Sequence, residues 1–144
     1  MTIRSGVSAD GQGIIALLET AGLPGSGLLT RDDTLVFVAE SDHTVVGTAA
    51  VERYATHGLL RSVAVATPAR GGGLGRSLVT EAIAAAAAAG LSDCWLITED
   101  ASDYFSGLGW LAVSLEDLPA EVRLSDEYTA HCSAAATAMV RSLG

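Results

Sequence analysis

Leu60-Arg61-Ser62-Val63-Ala64-Val65, followed by Arg70-Gly71-Gly72-Gly73-Leu74-Gly75-Arg76, is the stretch on which the reading of this chain turns. The first six residues read as a strand, and a helical pattern opens near Gly73. A glycine-dense turn between a strand and a helix N-terminus suits a phosphate. Without Cβ atoms the backbone comes close to a ligand. The unpaired N–H groups of the first helical turn then point outward at the positive end of the helix dipole. Arg70 and Arg76 flank the loop and add charge-assisted donors. A bound pyrophosphate is the expectation; a glycine turn with no ligand is the plainer alternative.

Three pyrophosphate patterns compete. A Walker loop ends in Gly-Lys-Ser/Thr, and this chain contains no lysine. A dinucleotide fingerprint runs G-x-G-x-x-G, but counting from Gly71 or Gly73 puts Arg76 or Leu78 where the third glycine belongs. The pattern that fits is Arg-x-x-Gly-x-Gly, met by Arg70, Gly73 and Gly75 after Val63-Ala64-Val65-x-x-Pro68. It resembles the coenzyme A site of the GCN5-related N-acetyltransferases, the GNAT superfamily.

Composition agrees with one small enzyme domain. At 144 residues the chain is long enough to bury a real core and fits one domain, and the resemblance implies that 1–144 forms a single N-acetyltransferase domain. No run of about 18 apolar residues appears, and Met1-Thr2-Ile3-Arg4 lacks the apolar segment of a signal peptide. The net charge of −9 sets 17 acidic residues against 8 basic ones, all arginine, which argues against nucleic acid or an anionic membrane as the main partner. An anionic cofactor must then be held by locally placed groups, as the arginine-flanked loop offers. The two cysteines, Cys94 and Cys132, form no C-x-x-C pair and make no zinc site, so a reduced cytoplasmic protein without metal is expected.

Along the chain the elements alternate. Thr2-Ile3-Arg4 starts a strand, and Ser8 reads as the N-cap of a helix through Ala21, with Ile14, Leu17, Leu18 and Ala21 at helical spacing. Gly22-Leu23-Pro24-Gly25-Ser26-Gly27 breaks that helix. Thr34 to Glu40 and Thr44 to Tyr54 read as a hairpin around Ser41-Asp42-His43. Leu59 to Val65 is the next strand, with His57 and Gly58 in the turn before it. The helix after the glycine loop runs to about Ala89, with Gly90 at C′. Leu91 to Thr98 is a strand, Ala101 to Leu108 a short helix, and Gly109 to Val113 the start of another strand. Glu116 to Arg123 and Ser125 to Tyr128 are helical or irregular, and Ala136 to Leu143 closes the sheet. The whole reads as an α/β domain with a mixed sheet.

That order is similar to the acetyltransferase fold, which implies a central sheet of about seven strands flanked by helices. The family's ending, aromatic-x-x-leucine-glycine-aromatic, stands here as Phe105-Ser106-Gly107-Leu108-Gly109-Trp110. Many relatives carry at the Phe105 slot a tyrosine that protonates the departing thiolate; this chain has its tyrosine one place earlier, at Tyr104. A closer resemblance is to the acetyltransferases associated with arsenic-resistance operons. It rests on Ala21-Gly22-Leu23-Pro24, Leu59-Leu60-Arg61-Ser62-Val63-Ala64-Val65, Asp103-Tyr104-Phe105 and the tail from Glu127-Tyr128 through His131-Cys132-Ser133-Ala134 to Met139. It implies a small free amine as acceptor, with arsenic- or phosphorus-containing glutamate analogues among the candidates. A homodimer is a further open expectation.

The resemblance also assigns residues. Acetyl-CoA is expected against Val63, Ala64 and Val65, with its phosphates at Arg70, Gly71, Gly72, Gly73, Leu74, Gly75, Arg76 and Ser77. Val63–Val65 backbone N–H groups would stabilise the oxyanion, and the strand would pair with the pantetheine arm. The attacking amine must lose a proton first, and Glu52 and Glu99, each at a strand end, are the candidate bases. Tyr104 is the candidate acid, or packs beside the cofactor. His57 is either catalytic or an exposed loop histidine. Arg61, among apolar neighbours, either pairs structurally with Glu52 or, with Ser62, grips an anionic group of the acceptor. Cys132 is a second contact for a soft arsenical, or simply a packed residue. An acetyl-CoA-binding sensor without turnover and a nucleotide-binding switch are the competing classes.

Overall fold

The computed structural model describes residues 2–23, 33–131 and 135–143. Pro24 to Gly27 of the expected helix breaker, and Cys132 with Ser133 and Ala134, lie outside them. The elements are β1 (Thr2–Ser5), α1 (Gly11–Thr20), β2 (Leu35–Ser41), β3 (Thr44–Tyr54), β4 (His57–Val65), α2 (Leu74–Ala88), β5 (Asp93–Thr98), α3 (Ser102–Ser106), β6 (Leu111–Val113), α4 (Asp126–His131) and β7 (Thr137–Ser142). The seven strands form one sheet in the order β1-β2-β3-β4-β5-β7-β6. Its pairs are antiparallel except β4 with β5. The C-terminal strand does not take the edge; it inserts between β5 and β6.

Side-chain alternation with period two sorts the core into layers. On β2 and β3, Ala39, Ala49 and Val51 face α2, where they meet Leu74, Leu78, Val79, Ala82 and Ala86. Val38 and Ala50 face the other way, toward Ile14, Leu17 and Leu18 of α1. α2 lies so close to β3 that a Cβ on Gly47 would meet Leu78 Cδ1 at 2.8 Å. α2 ends on a left-handed Gly90 (φ +89), where Leu91 N–H donates to Ala86 O.

Two local expectations change. The first helix begins as a 3-10 turn over Ser8–Asp10, and Asp10, not Ser8, stands at the N-cap position of α1. The Asp10 carboxylate pairs with Arg4 at 2.8 Å and accepts from Val7 N–H at 2.8 Å, which together pull its pKa down to about 2. His57 and Gly58 are strand residues; the β3–β4 turn is Ala55-Thr56, with Ala55 left-handed at φ 56. Glycine at 58 answers a packing need, since a Cβ there would meet Val51 Cγ1 at 2.9 Å.

What positions the site is an irregularity in β4. Thr48 faces Ala64 and Ala50 faces Arg61, so two steps on β3 oppose three on β4. The extra residue is a β-bulge, with Ser62 at φ 59. It shifts the alternation by one. Leu60 packs on the α2 side before it, Val63 and Val65 pack there after it, and Ala64 packs with α1. A bulge also bends its strand. The register of β4 with β5 ends at Leu59 opposite Trp95, and beyond that point the two parallel strands part.

Candidate active site

The gap between the diverging ends of β4 and β5 is a cavity of about 820 Å³. Its walls are Leu60 to Val65 on one side and Leu96 to Ala101 on the other. One mouth is the glycine loop at the start of α2; Ala21, Gly22 and Leu23 line another part of the rim.

At the glycine loop the chain leaves β4 through a 3-10 turn, Thr67–Ala69, and passes Arg70, whose Nε donates to Val65 O at 3.0 Å. Gly71 and Gly73 are left-handed, at φ +92 and +79. That backbone strongly favours glycine. A Cβ at Gly71, Gly72 or Gly73 would meet no atom within 4 Å, so the loop's backbone borders open space. Behind it stand the orphan N–H groups of the first turn of α2. Arg70 and Arg76 both line the cavity here. A pyrophosphate fits this cradle: backbone donors, room for close approach and two cations.

The inner end is built differently. Arg61 is 2% exposed, and its Nη1 lies 3.4 Å from Glu52 Oε2. Its Nε donates to Ser62 Oγ at 3.1 Å and lies 4.0 Å from Glu127 Oε1. The structural pair expected between Arg61 and Glu52 is therefore present, and Arg61 and Ser62 also line the cavity. Glu52 stands behind the guanidinium, with Tyr54 Oη donating to its Oε1 at 2.9 Å. Glu127, at the start of α4, lines the cavity and is buried. Burial pushes its carboxyl up to about 7; Arg61 opposes the shift and Glu52 adds to it.

In the sequence, Glu127 stands only within the tail that carries the resemblance, with no role attached to it. No local signal marks it. The helix that carries it packs against β5, a contact between segments far apart in the chain.

The remaining candidates disperse. Tyr104 is half-exposed, packs edge-on against Phe105 at 5.1 Å, and puts its hydroxyl 3.1 Å from where a Gly75 Cβ would stand. It thus neighbours the phosphate loop, while Phe105 is buried against Trp110. Glu99 and Asp100 sit exposed on the cavity wall at the end of β5. His57 Nδ1 lies 2.7 Å from Asp93 Oδ1, where β4 and β5 are still paired and the cavity has not opened. Cys94 is buried, which pushes its thiol up to about 12. Among the described residues no helix is long and apolar enough to cross a membrane, and no cluster of three His, Cys, Asp or Glu is placed to hold a metal ion.

Residues 32–110, more than half of the chain, match the family model described as an acetyltransferase (GNAT) domain. None of the curated proteins matches the chain in sequence. Among solved structures, the N-acetylglutamate synthase of Neisseria gonorrhoeae, complexed with coenzyme A and N-acetyl-glutamate, is 25% identical with a TM-score of 0.83. That likeness covers 99% of this chain but 35% of the synthase. A Mycobacterium tuberculosis protein in complex with CoA is 21% identical, with a TM-score of 0.78 and 100% of both chains covered. An acetyltransferase of the GNAT family from Staphylococcus aureus is 16% identical, with a TM-score of 0.81 and 99% of both chains covered. The last two likenesses concern the fold.

Proposed function

The chain belongs to the GNAT acetyltransferase family, and from that premise we propose that it transfers an acetyl group from acetyl-CoA to the free amine of a small molecule. The observation that carries this reading is the single cavity joining a glycine cradle to a buried Arg61–Glu52–Glu127 cluster. One end suits a diphosphate and the other a small charged acceptor.

Backbone groups from Gly71 to Ser77, with Arg70 and Arg76, hold the phosphates by charge-assisted and dipole contacts. Val63 to Val65, on the strand edge freed by the bulge, offer peptide groups to the pantetheine arm and an N–H to the carbonyl oxygen. Acetyl-CoA supplies the activated thioester carbonyl. Arg61 and Ser62 face the acceptor's anionic group. Tyr104 lies too near the phosphate loop to be tied to the thiol by position, so its part in the proton steps is minor. The thiol, with a pKa of about 8.5, leaves tolerably as the thiolate.

For the acceptor we favour an amino acid, specifically a glutamate analogue carrying arsenic or phosphorus. Two observations support that class: the resemblance to arsenic-resistance acetyltransferases, and the N-acetyl-glutamate complexed with the Neisseria synthase. A thiol-release screen across glutamate, phosphinothricin, arsinothricin, polyamines and aminoglycosides tests it. Turnover confined to the glutamate analogues is the expected result; turnover with polyamines alone would overturn the acceptor class.

A further inference from the structure

Among the described residues, the inner end of the cavity holds more acidic than basic side chains. Among the described residues there, Arg61 on β4 is the cation, flanked by Glu52 of β3 at 3.4 Å and Glu127 of α4 at 4.0 Å. Glu99 and Asp100 at the end of β5 line the same cavity. Within this trio, one guanidinium between two buried carboxylates leaves acidic groups in excess. Such an excess calls for a proton or for a cation brought in from outside.

The two carboxylates are not equivalent. Glu52 is 1% exposed, takes the Tyr54 hydroxyl on one oxygen and faces Arg61 with the other. Glu127 lines the cavity and makes the longer approach to Arg61. An amino acid entering beside Arg61 would set its anionic group near the guanidinium and its ammonium near Glu127.

We propose that Glu127 receives the acceptor's ammonium group and takes its proton, so that the site selects amines that arrive charged. The ammonium gives one proton to the Glu127 carboxylate, and the freed lone pair forms the C–N bond at the thioester carbonyl carbon. The C–S bond breaks with its electron pair on sulfur, the nitrogen's second proton goes to the thiolate, and Glu127 returns its proton to water. A buried carboxyl held up to about 7 exchanges that proton readily at neutral pH. The inference rests on the acetyl-transfer reading and adds to it the residue that activates the amine.

The test compares phosphinothricin, an ammonium at neutral pH, with hydroxylamine, whose nitrogen is already uncharged. For the wild type, kcat/KM with phosphinothricin should rise with pH through about 7, where burial holds this carboxyl, and the hydroxylamine profile should lack that limb. Glu127→Gln should lower kcat with phosphinothricin by about a hundredfold, within the usual contribution of a general base. With hydroxylamine the loss should stay within a few-fold, and acetyl-CoA affinity by calorimetry should not change. Equal losses with both acceptors, or a phosphinothricin profile flat through neutral pH in the wild type, would overturn the proposal while leaving acetyl transfer intact. No thiol release above the enzyme-free rate from the wild type with either acceptor would remove the transfer reading, and the proposal with it. The wild-type profile needs no variant, so a misfolded Glu127→Gln protein does not block the test.

Discussion

The two ends of the cavity are made by opposite means. The glycine loop is contiguous, exposed and built from backbone: Gly71 and Gly73 in left-handed conformations, open space beside them, and helix N–H groups behind. The inner end is buried and built from side chains on three separate elements, with Arg61 from β4, Glu52 from β3 and Glu127 from α4. A backbone site tolerates exposure because its donors are fixed by the fold. A side-chain site must be shielded for its charges to matter, and shielding couples it to stability. Substitutions at the inner end should therefore disturb folding and chemistry together, whereas those in the loop should disturb binding alone.

The largest expected effect breaks the inner end. Arg61→Ala strands two buried carboxylates, and removal of one partner from such a cluster costs about 3–5 kcal/mol. Chemical denaturation should register that loss, and adding Glu52→Gln should recover part of it. A stable Arg61→Ala protein whose only defect is a raised KM for the acceptor would show that the guanidinium serves binding more than structure. Next comes the packing between the two ends. Gly47→Val drives a side chain into Leu78 and Leu74 of α2, an overpacking expected to cost about 1–3 kcal/mol. An unchanged thermal midpoint would mean that α2 shifts freely on the sheet, and the loop with it.

Protonation separates the ends more gently. The Glu127 carboxyl sits higher in the folded protein, about 7, than its ordinary 4.5, so between those values the folded state binds the extra proton. Stability contributed by this group is then full below about 4.5 and declines as pH rises through about 7. Glu127→Gln should remove that decline, and the difference between variant and wild-type urea midpoints across the range measures it. A difference that does not change with pH would place Glu127 in water. The smallest effect concerns Tyr104. Tyr104→Phe should lower kcat less than about tenfold, below the usual contribution of a general acid. A thousandfold loss with unchanged acetyl-CoA affinity would make Tyr104 the acid and bring its hydroxyl from the phosphate loop to the thiol.

How much of this was legible in the sequence follows the same division. The loop could be read because its chemistry lies in consecutive residues. Arg70, the glycines and Arg76 specify left-handed turns and donors with no help from the rest of the chain. The hairpin at Asp42-His43 was legible for the same reason, both residues taking positive φ as a tight turn asks. Arg61 stood out as a charge in an apolar strand, and its partner Glu52 was named; the bulge that follows Arg61 on the cavity wall left no pattern to count. Gly58 misled because glycine signals turns, while here it makes room for Val51 and Leu91. Glu127 was out of reach. Its role depends on where a six-residue helix lands against β5, and no periodicity in so short a segment encodes that.

The division of labour is tested most directly by calorimetric titration of acetyl-CoA into Gly73→Val. Position 73 has φ +79, which a β-branched residue takes only under strain, yet a Cβ there touches nothing. The local cost is about 1–2 kcal/mol, so the domain should remain folded by circular dichroism. The expected result is a loss of affinity of about a hundredfold or more, equivalent to about 2.8 kcal/mol. Unchanged affinity in a folded Gly73→Val protein would contradict the assignment of the glycine loop as the phosphate cradle.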